Sequence, residues 1–327
     1  GKPMDPSPPI VHTVTNVIYS MMFGHRFSRD DETFHRLIES FDTLAAFLNS
    51  ISFFIFELSP WLAGHFLPSV KKMKSCMDFL EVLLTKELES HKEKRKLDEN
   101  QYFIDYYLDE IDKVNADSTY NERNLIQIVG DLFIAGTETT TTTLLWGLLY
   151  MVMHPDIQEK VQKELDAVMG CSHVFCYEDR KKLPYTNAVI HEIQRYSNII
   201  FIALPRRSLK DTELLGYHIP KNTVVLANID SVLVDPAKWE TPDQFNPGHF
   251  LDKDGNFVNR EAFLPFAIGR RVCMGELLAR MELFIFFSTL LQAFTFTLPE
   301  GVKEVNTKFI FGSTMKPPPY QLCAIPR

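Results

Sequence analysis

Residues 263–276, FLPFAIGRRVCMGE, hold one cysteine, Cys273, with Arg270 and Arg271 just before it and an apolar segment just after. Pro265, Gly269 and Gly275 punctuate the stretch. Glycine admits turns and close backbone approaches that a Cβ forbids. A cysteine just ahead of a helix's first turn meets backbone N–H groups pointing toward its sulfur. Neighbouring guanidinium groups add to that effect, and both favour the thiolate. A thiolate takes a metal or attacks an electrophile; an inert buried thiol is the third reading. The cysteine alone leaves all three open.

The rest of the chain has to position that loop. It has 327 residues, 45% hydrophobic and 23% charged, which is the composition of an ordinary globular protein. The net charge of −8 argues against a general nucleic-acid binder. Cys76, Cys171, Cys176, Cys273 and Cys323 are odd in number and scattered, with no CxxC, so no disulfide framework is expected and a reducing compartment fits. No N-glycosylation sequon occurs. The chain opens on Gly1 and a loop-like KPMDPSPP, as a fragment would. Residues 125–153 are long and apolar, but Gln127, Asp131, Glu138 and a threonine run interrupt them, so they read as a long buried helix rather than a membrane span.

Helical spacing is expected over 14–23, 32–49, 71–96, 101–113 and 185–196, and over 155–169 with Gly170 as its stop. Thr119 and Glu122 are spaced as a capping box at the head of the long helix. Residues 51–68, ISFFIFELSPWLAGHFLP, read as a helix end and buried loop, or as a surface loop dipping into a bilayer. Residues 204–229 alternate and turn like a small sheet. A final apolar helix covers 276–294, and 308–327 close as a strand pair around a Pro-rich turn. The fold class is mainly α with a small β region, α+β at most.

Written out, the pattern Phe266-x-x-Gly269-x-Arg271-x-Cys273-x-Gly275 is the haem-thiolate signature. On it the chain resembles the cytochrome P450 superfamily, in particular its microsomal family-two type. Two further motifs stand in the family's order. Glu192-x-x-Arg195 places both side chains on one helix face, and PDQFNPGHF offers His249 as the third member of a structural brace. Ala135-Gly136-Thr137-Glu138-Thr139-Thr140 matches the central-helix motif. There an acid beside a hydroxyl, over a glycine that loosens the helix, suits a water relay for protons. The competing reading is that Thr139 merely back-bonds to a carbonyl and Glu138 makes an ordinary ion pair.

The resemblance covers residues 14–324 and implies a single haem-thiolate domain over 1–327 with the P450 fold. It corresponds to the C-terminal two-thirds of a typical member, without the N-terminal membrane helix, its Pro-rich hinge and the first helices. It implies haem b ligated by Cys273, propionates met by Arg271 and Arg206, and contacts from Phe266, Gly269, Gly275 and Ala135. Glu138 and Thr139 become the catalytic pair. Ile134, Ala135, Ile200, Ala203, Leu204, Ser313 and Thr314 become pocket residues. The activity implied is insertion of one oxygen atom of O2 into a lipophilic substrate: a fatty acid first, or a steroid or xenobiotic. Electrons come from NADPH through a flavoprotein reductase meeting Arg270 and its neighbours, with cytochrome b5 a further partner and the membrane surface another. The location implied is the cytosolic face of the endoplasmic reticulum membrane. A hydroperoxide isomerase of the same superfamily, or a truncated form that seats no haem, are the alternatives.

Overall fold

Caps and prolines set most of the helix ends. The computed structural model describes residues 1–94, 101–113, 119–170 and 173–327. Cys171 and the tail of the helix expected over 71–96 therefore lie partly or wholly outside the described residues. In chain order come β1 (Pro3–Met4), α1 (Ser7–Phe23), α2 (Glu32–Leu48), α3 (Ile51–Leu58), α4 (Pro60–Phe66), α5 (Pro68–Lys94), α6 (Phe103–Lys113), α7 (Glu122–Met153) and α8 (Pro155–Met169). Then follow α9 (Pro184–Ser197), β2 (Arg206–Arg207), β3 (Thr212–Leu214), β4 (Tyr217–Ile219), β5 (Val224–Val225), α10 (Asp230–Leu233), α11 (Glu276–Ala293), β6 (Phe294–Thr297) and β7 (Leu322–Pro326). The fold is mainly helical with small sheets, as expected. Contacts divide it into two compact units, Ser7–Thr141, and Gly1–Pro6 with Thr142–Arg327.

In the unit Ser7–Thr141, the opening is not the loop its prolines suggest. Pro8 and Pro9 sit in the first turn of α1, where a missing N–H costs nothing. Asp31 caps α2 by accepting the N–H groups of Thr33 and Phe34 at 2.7 and 3.3 Å. At the head of α7 the capping box does not form. Asn121 is the cap instead, its Oδ1 accepting the Asn124 N–H at 2.9 Å, because its short amide already stands at the helix threshold while Thr119 lies two residues outside. Residues 51–68 are also not a loop. Pro60 opens α4 directly after α3. Phe53, Phe56 and Leu67 pack inward on Phe47, Ala63 and Val70, leaving Ile51, Phe54, Leu58, Trp61 and Phe66 exposed. Among the described residues no single helix is long and apolar enough to cross a membrane.

In the other unit, α8 ends at Gly170 with φ 76°, a conformation that suits glycine. The region 204–229 forms two separate strand pairs, β2 with β5 and β3 with β4, rather than one sheet. The C-terminal hairpin is not formed either. A single bridge, Ile310 to Lys316, closes the turn, and β7 runs between β1 and β6. Pairing Thr297 with Cys323 and Phe294 with Pro326 gives β7 the neighbour on either side that a hairpin partner would have supplied on one. Gln158 of α8 fixes β6 by donating to the Phe296 carbonyl at 2.9 Å and accepting its N–H at 2.7 Å. The end of α7 holds the last segment: Trp146 donates to the Met315 carbonyl at 2.8 Å and Tyr320 to the Leu145 carbonyl at 2.6 Å.

Candidate functional site

The cysteine loop is shaped by its backbone. Ala267 and Gly269 take φ of 62° and 82°, turning the chain twice within three residues. The Cys273 N–H donates to the Phe266 carbonyl at 3.0 Å, and that of Val272 to the Gly269 carbonyl at 3.1 Å. Two aromatic rings pin the loop. Phe263 packs on Phe250 at 5.0 Å, and the Arg280 guanidinium of α11 covers the rings of Phe266 and Phe263 at 4.9 and 5.7 Å. Arg280 is itself fixed by Glu276, at 2.9 Å through Nε and through Nη2, and by His191 of α9 at 3.1 Å.

Cys273 stands exposed as a free thiol. Around it Ile268, Val272, Met274 and Leu277 are exposed too, Met274 by 83%. Gly275 is the N-cap of α11, and a Cβ built on it would lie 3.9 Å from the Cys273 sulfur; any larger side chain would cover that flank.

This geometry allows a test of the haem. No cluster of three or more His, Cys, Asp or Glu suited to a metal occurs among the described residues. A lone thiolate therefore suits a metal that brings its other ligands with it, which a macrocycle does. The open glycine flank and the exposed apolar rim fit a large flat partner. Arg206 and Arg271 have no ion-pair partner among the described residues and remain available for propionates. The residues present fit the group.

Glu192, Arg195 and His249 are brought together and buried. Arg195 donates to both carboxylate oxygens of Glu192, at 2.8 and 2.7 Å, and to the carbonyls of Leu233, Pro242 and Gln244 at 2.9, 3.0 and 3.0 Å. That spends every N–H of the guanidinium. Glu192 also accepts the Asn246 N–H at 2.8 Å. The Thr241 N–H donates to Nε2 of His249 at 3.2 Å, so Nδ1 carries the proton and donates to Glu192 at 3.2 Å. The three side chains thus join α9 to residues 233–249.

Glu138 and Thr139, the pair expected to be catalytic, lie on α7, in the unit Ser7–Thr141. The Thr139 hydroxyl donates to the Ala135 carbonyl at 2.7 Å, the back-bond of the competing reading. Gly136 has a specific reason to be glycine. A Cβ there would come within 2.8 Å of Ile18 Cδ1, so the glycine lets α1 close on α7.

The residues expected to line a pocket fall in both units. Ile134 and Ala135 belong to the unit of α7's first part. In the other unit Leu204 is exposed, whereas Ala203 is buried with Trp239, Phe250 and Leu233, and Ile200 packs against that cluster. Thr314 is buried, 3.1 Å from the Thr142 hydroxyl, while Ser313 beside it is exposed. Ala203 and Thr314 thus face packed interior, because small side chains there let the segments close. Sequence reasoning missed Arg280, His191 and Arg260. Arg260 joins Glu240 at 3.0 Å and the His249 carbonyl at 3.1 Å, and no spacing pattern signals it. The Glu276-x-x-x-Arg280 spacing was a readable signal.

Comparison with known proteins agrees with this geometry. A family profile described as Cytochrome P450 matches residues 1–324. The chain is 44% identical over 330 residues to Cytochrome P450 2J2 of Homo sapiens and 45% to Cytochrome P450 2J1 of Oryctolagus cuniculus, covering all of this chain and 65% of each relative. It is 40% identical to Cytochrome P450 2D14 of Bos taurus. The chain spans about 65% of the length of the first two relatives.

Proposed function

This chain belongs to the cytochrome P450 family, and from that premise we propose that a protein containing it is a haem-thiolate monooxygenase. The observation that carries the reading is Cys273: an exposed thiol on a backbone fixed by its own hydrogen bonds, flanked by a glycine that leaves the sulfur open. Bound haem supplies oxygen activation, with a thiolate ligand favouring O–O cleavage; one oxygen atom enters the substrate, the other leaves as water, and the electrons come from NADPH through a flavoprotein reductase.

The chain's own residues bind, orient and protonate. Cys273 would ligate the haem iron, and Arg271 and Arg206 would meet the propionates. Phe266 and Gly269 hold the loop. The Thr139 hydroxyl, which donates to the Ala135 carbonyl, and Glu138 beside it would pass protons to the reacting oxygen through a water relay, with Glu138 as the acid. An intact Glu138–Thr139 pair favours the monooxygenase over a hydroperoxide isomerase, which uses neither O2 nor a reductase. Glu192, Arg195 and His249 brace the scaffold and touch no substrate.

The substrate class is a lipophilic small molecule, a fatty acid first or a steroid or xenobiotic; an apolar site discriminates weakly by size and so singles out no one compound. The outward faces of α3 and α4, with Leu58 exposed by 87% and Trp61 by 70%, suit contact with the cytosolic face of the endoplasmic reticulum membrane. Exposed Arg270 suits an acidic reductase or cytochrome b5. The test is the reduced carbon-monoxide difference spectrum of the haem-supplied chain beside Cys273→Ser. A thiolate-type Soret band lost in the variant supports the reading. A band that survives Cys273→Ser removes Cys273 as the ligand, and no band in either overturns haem seating by this chain.

A further inference from the structure

A cavity of about 530 Å³ opens beside α9 and α11, sharing His191 and Arg280 with the support of the cysteine loop. That size suits a small organic ligand. Its wall is unusual in charge. Arg180, Lys181 and Arg280 line it, and no carboxylate does. The carboxylates that hold these cations are not among the lining residues: Glu178 for Lys181, at 2.5 Å, and for Arg180, at 3.6 Å, and Glu276 for Arg280. The lining residue Asn256 likewise donates to Asp252, which is not among the lining residues, at 3.2 Å. Arg280 spends N–H bonds on Glu276 and His191 but keeps one on each of Nη1 and Nη2. His191 donates through Nδ1 to the Asn187 carbonyl at 2.8 Å and accepts from Arg280 through Nε2, so it is neutral and adds no charge.

Two other features point to an occupant. Gln194 also lines the cavity. It is only 7% exposed, and its side-chain carbonyl is buried with no hydrogen-bond partner. A buried acceptor left unpaired is costly, so a donor is due there. The remaining wall is aromatic. Phe257 and Phe284 line the cavity with Tyr177, whose ring is covered by the Arg180 guanidinium at 3.8 Å.

We propose that this cavity is a binding site for a small aromatic acid, a ring carrying a phosphate or carboxylate and one N–H or O–H donor. The oxyanion meets Arg180, Lys181 and the unspent N–H bonds of Arg280. The ring lies against Phe257 and Tyr177, and the donor reaches the Gln194 carbonyl. The site shares Arg280 with the cysteine loop but uses neither Cys273 nor haem.

The test is calorimetric titration of the full chain with 4-aminophenyl phosphate, 4-aminobenzoate and aniline. One or both acids should saturate and aniline should not; which acid binds tighter identifies the oxyanion. The double variant Arg180→Gln, Lys181→Gln, at exposed or half-buried positions, should weaken the acid by roughly tenfold or more. Phenyl phosphate, lacking the donor, should bind several-fold more weakly than 4-aminophenyl phosphate to the native chain, and that difference should vanish in Gln194→Leu. Saturation by neither acid, equal binding of aniline, or affinity unchanged in both variants overturns the proposal.

Discussion

Replacing Arg195 by lysine keeps the charge and removes the geometry. Arginine spends its N–H bonds on two Glu192 oxygens and on the carbonyls of Leu233, Pro242 and Gln244. Lysine has three donors, so two of those acceptors lose their partner in a site where both Arg195 and Glu192 are fully buried. A buried acceptor left without a donor costs about 1–3 kcal/mol, which puts Arg195→Lys at roughly 2–6 kcal/mol. The cation over Trp239 at 5.2 Å is weakened too. Against a typical total of about 5–15 kcal/mol that is a large loss. Urea unfolding followed by tryptophan emission reads it, because Trp146 and Trp239 are buried while Trp61 is mostly exposed and changes little. The midpoint should fall with the slope unchanged. A loss under about 1 kcal/mol would refute the reasoning, since it would mean that water or a shifted backbone satisfies the orphaned carbonyls.

His191 should stay neutral well below its ordinary range. Burial, with the Arg280 charge adding, pushes it down to about 3. The unfolded chain then takes up a proton near pH 6.5 that the folded chain refuses, so stability is full above that pH and falls as pH drops toward 3. The slope is at most about 1.4 kcal/mol per pH unit and less in practice, because the ring lines a solvent-reached cavity. His191→Gln should flatten that limb in pH-dependent unfolding. Gly275→Ala should cost less than about 1 kcal/mol in unfolding, yet reduce haem uptake in titration, since its methyl sits 3.9 Å from the sulfur. Thr139→Val should keep the fold and lower product formed per NADPH consumed in the reductase-supplied enzyme. Leu58→Ser with Trp61→Ser should leave stability within about 0.5 kcal/mol and reduce co-sedimentation with vesicles.

Elements that depend on local chemistry were readable in the sequence. Pro155 and Gly170 bound α8 as their backbone preferences require. Glu32–Leu48, Pro184–Ser197 and Glu276–Ala293 fall within a residue or two of their apolar spacing. What failed was partner choice. The Pro-rich turn in 308–327 signals strands around it but not that β7 would take β1 and β6 as neighbours, because pairing is decided by residues far away in the chain. The cap of α7 went to Asn121 over Thr119 because two candidate caps stood two residues apart, and only geometry chooses between them.

The candidate site divides along the same line. Cys273, Gly275 and the Glu192–Arg195 pair are legible because each motif is short and its meaning lies in its own backbone. Burial is less legible, since the neighbours Ala203 and Leu204 part company, one in the core with Trp239 and the other 85% exposed. Arg280 shows the intermediate case. Its spacing from Glu276 announces a helical ion pair worth little on a surface. Placed under Phe266 and against His191, the same pair becomes the clamp that fixes the cysteine loop and one wall of the cavity beside it. The chemistry of the pair is in the sequence, but its consequence comes from what the fold stacks on top of it.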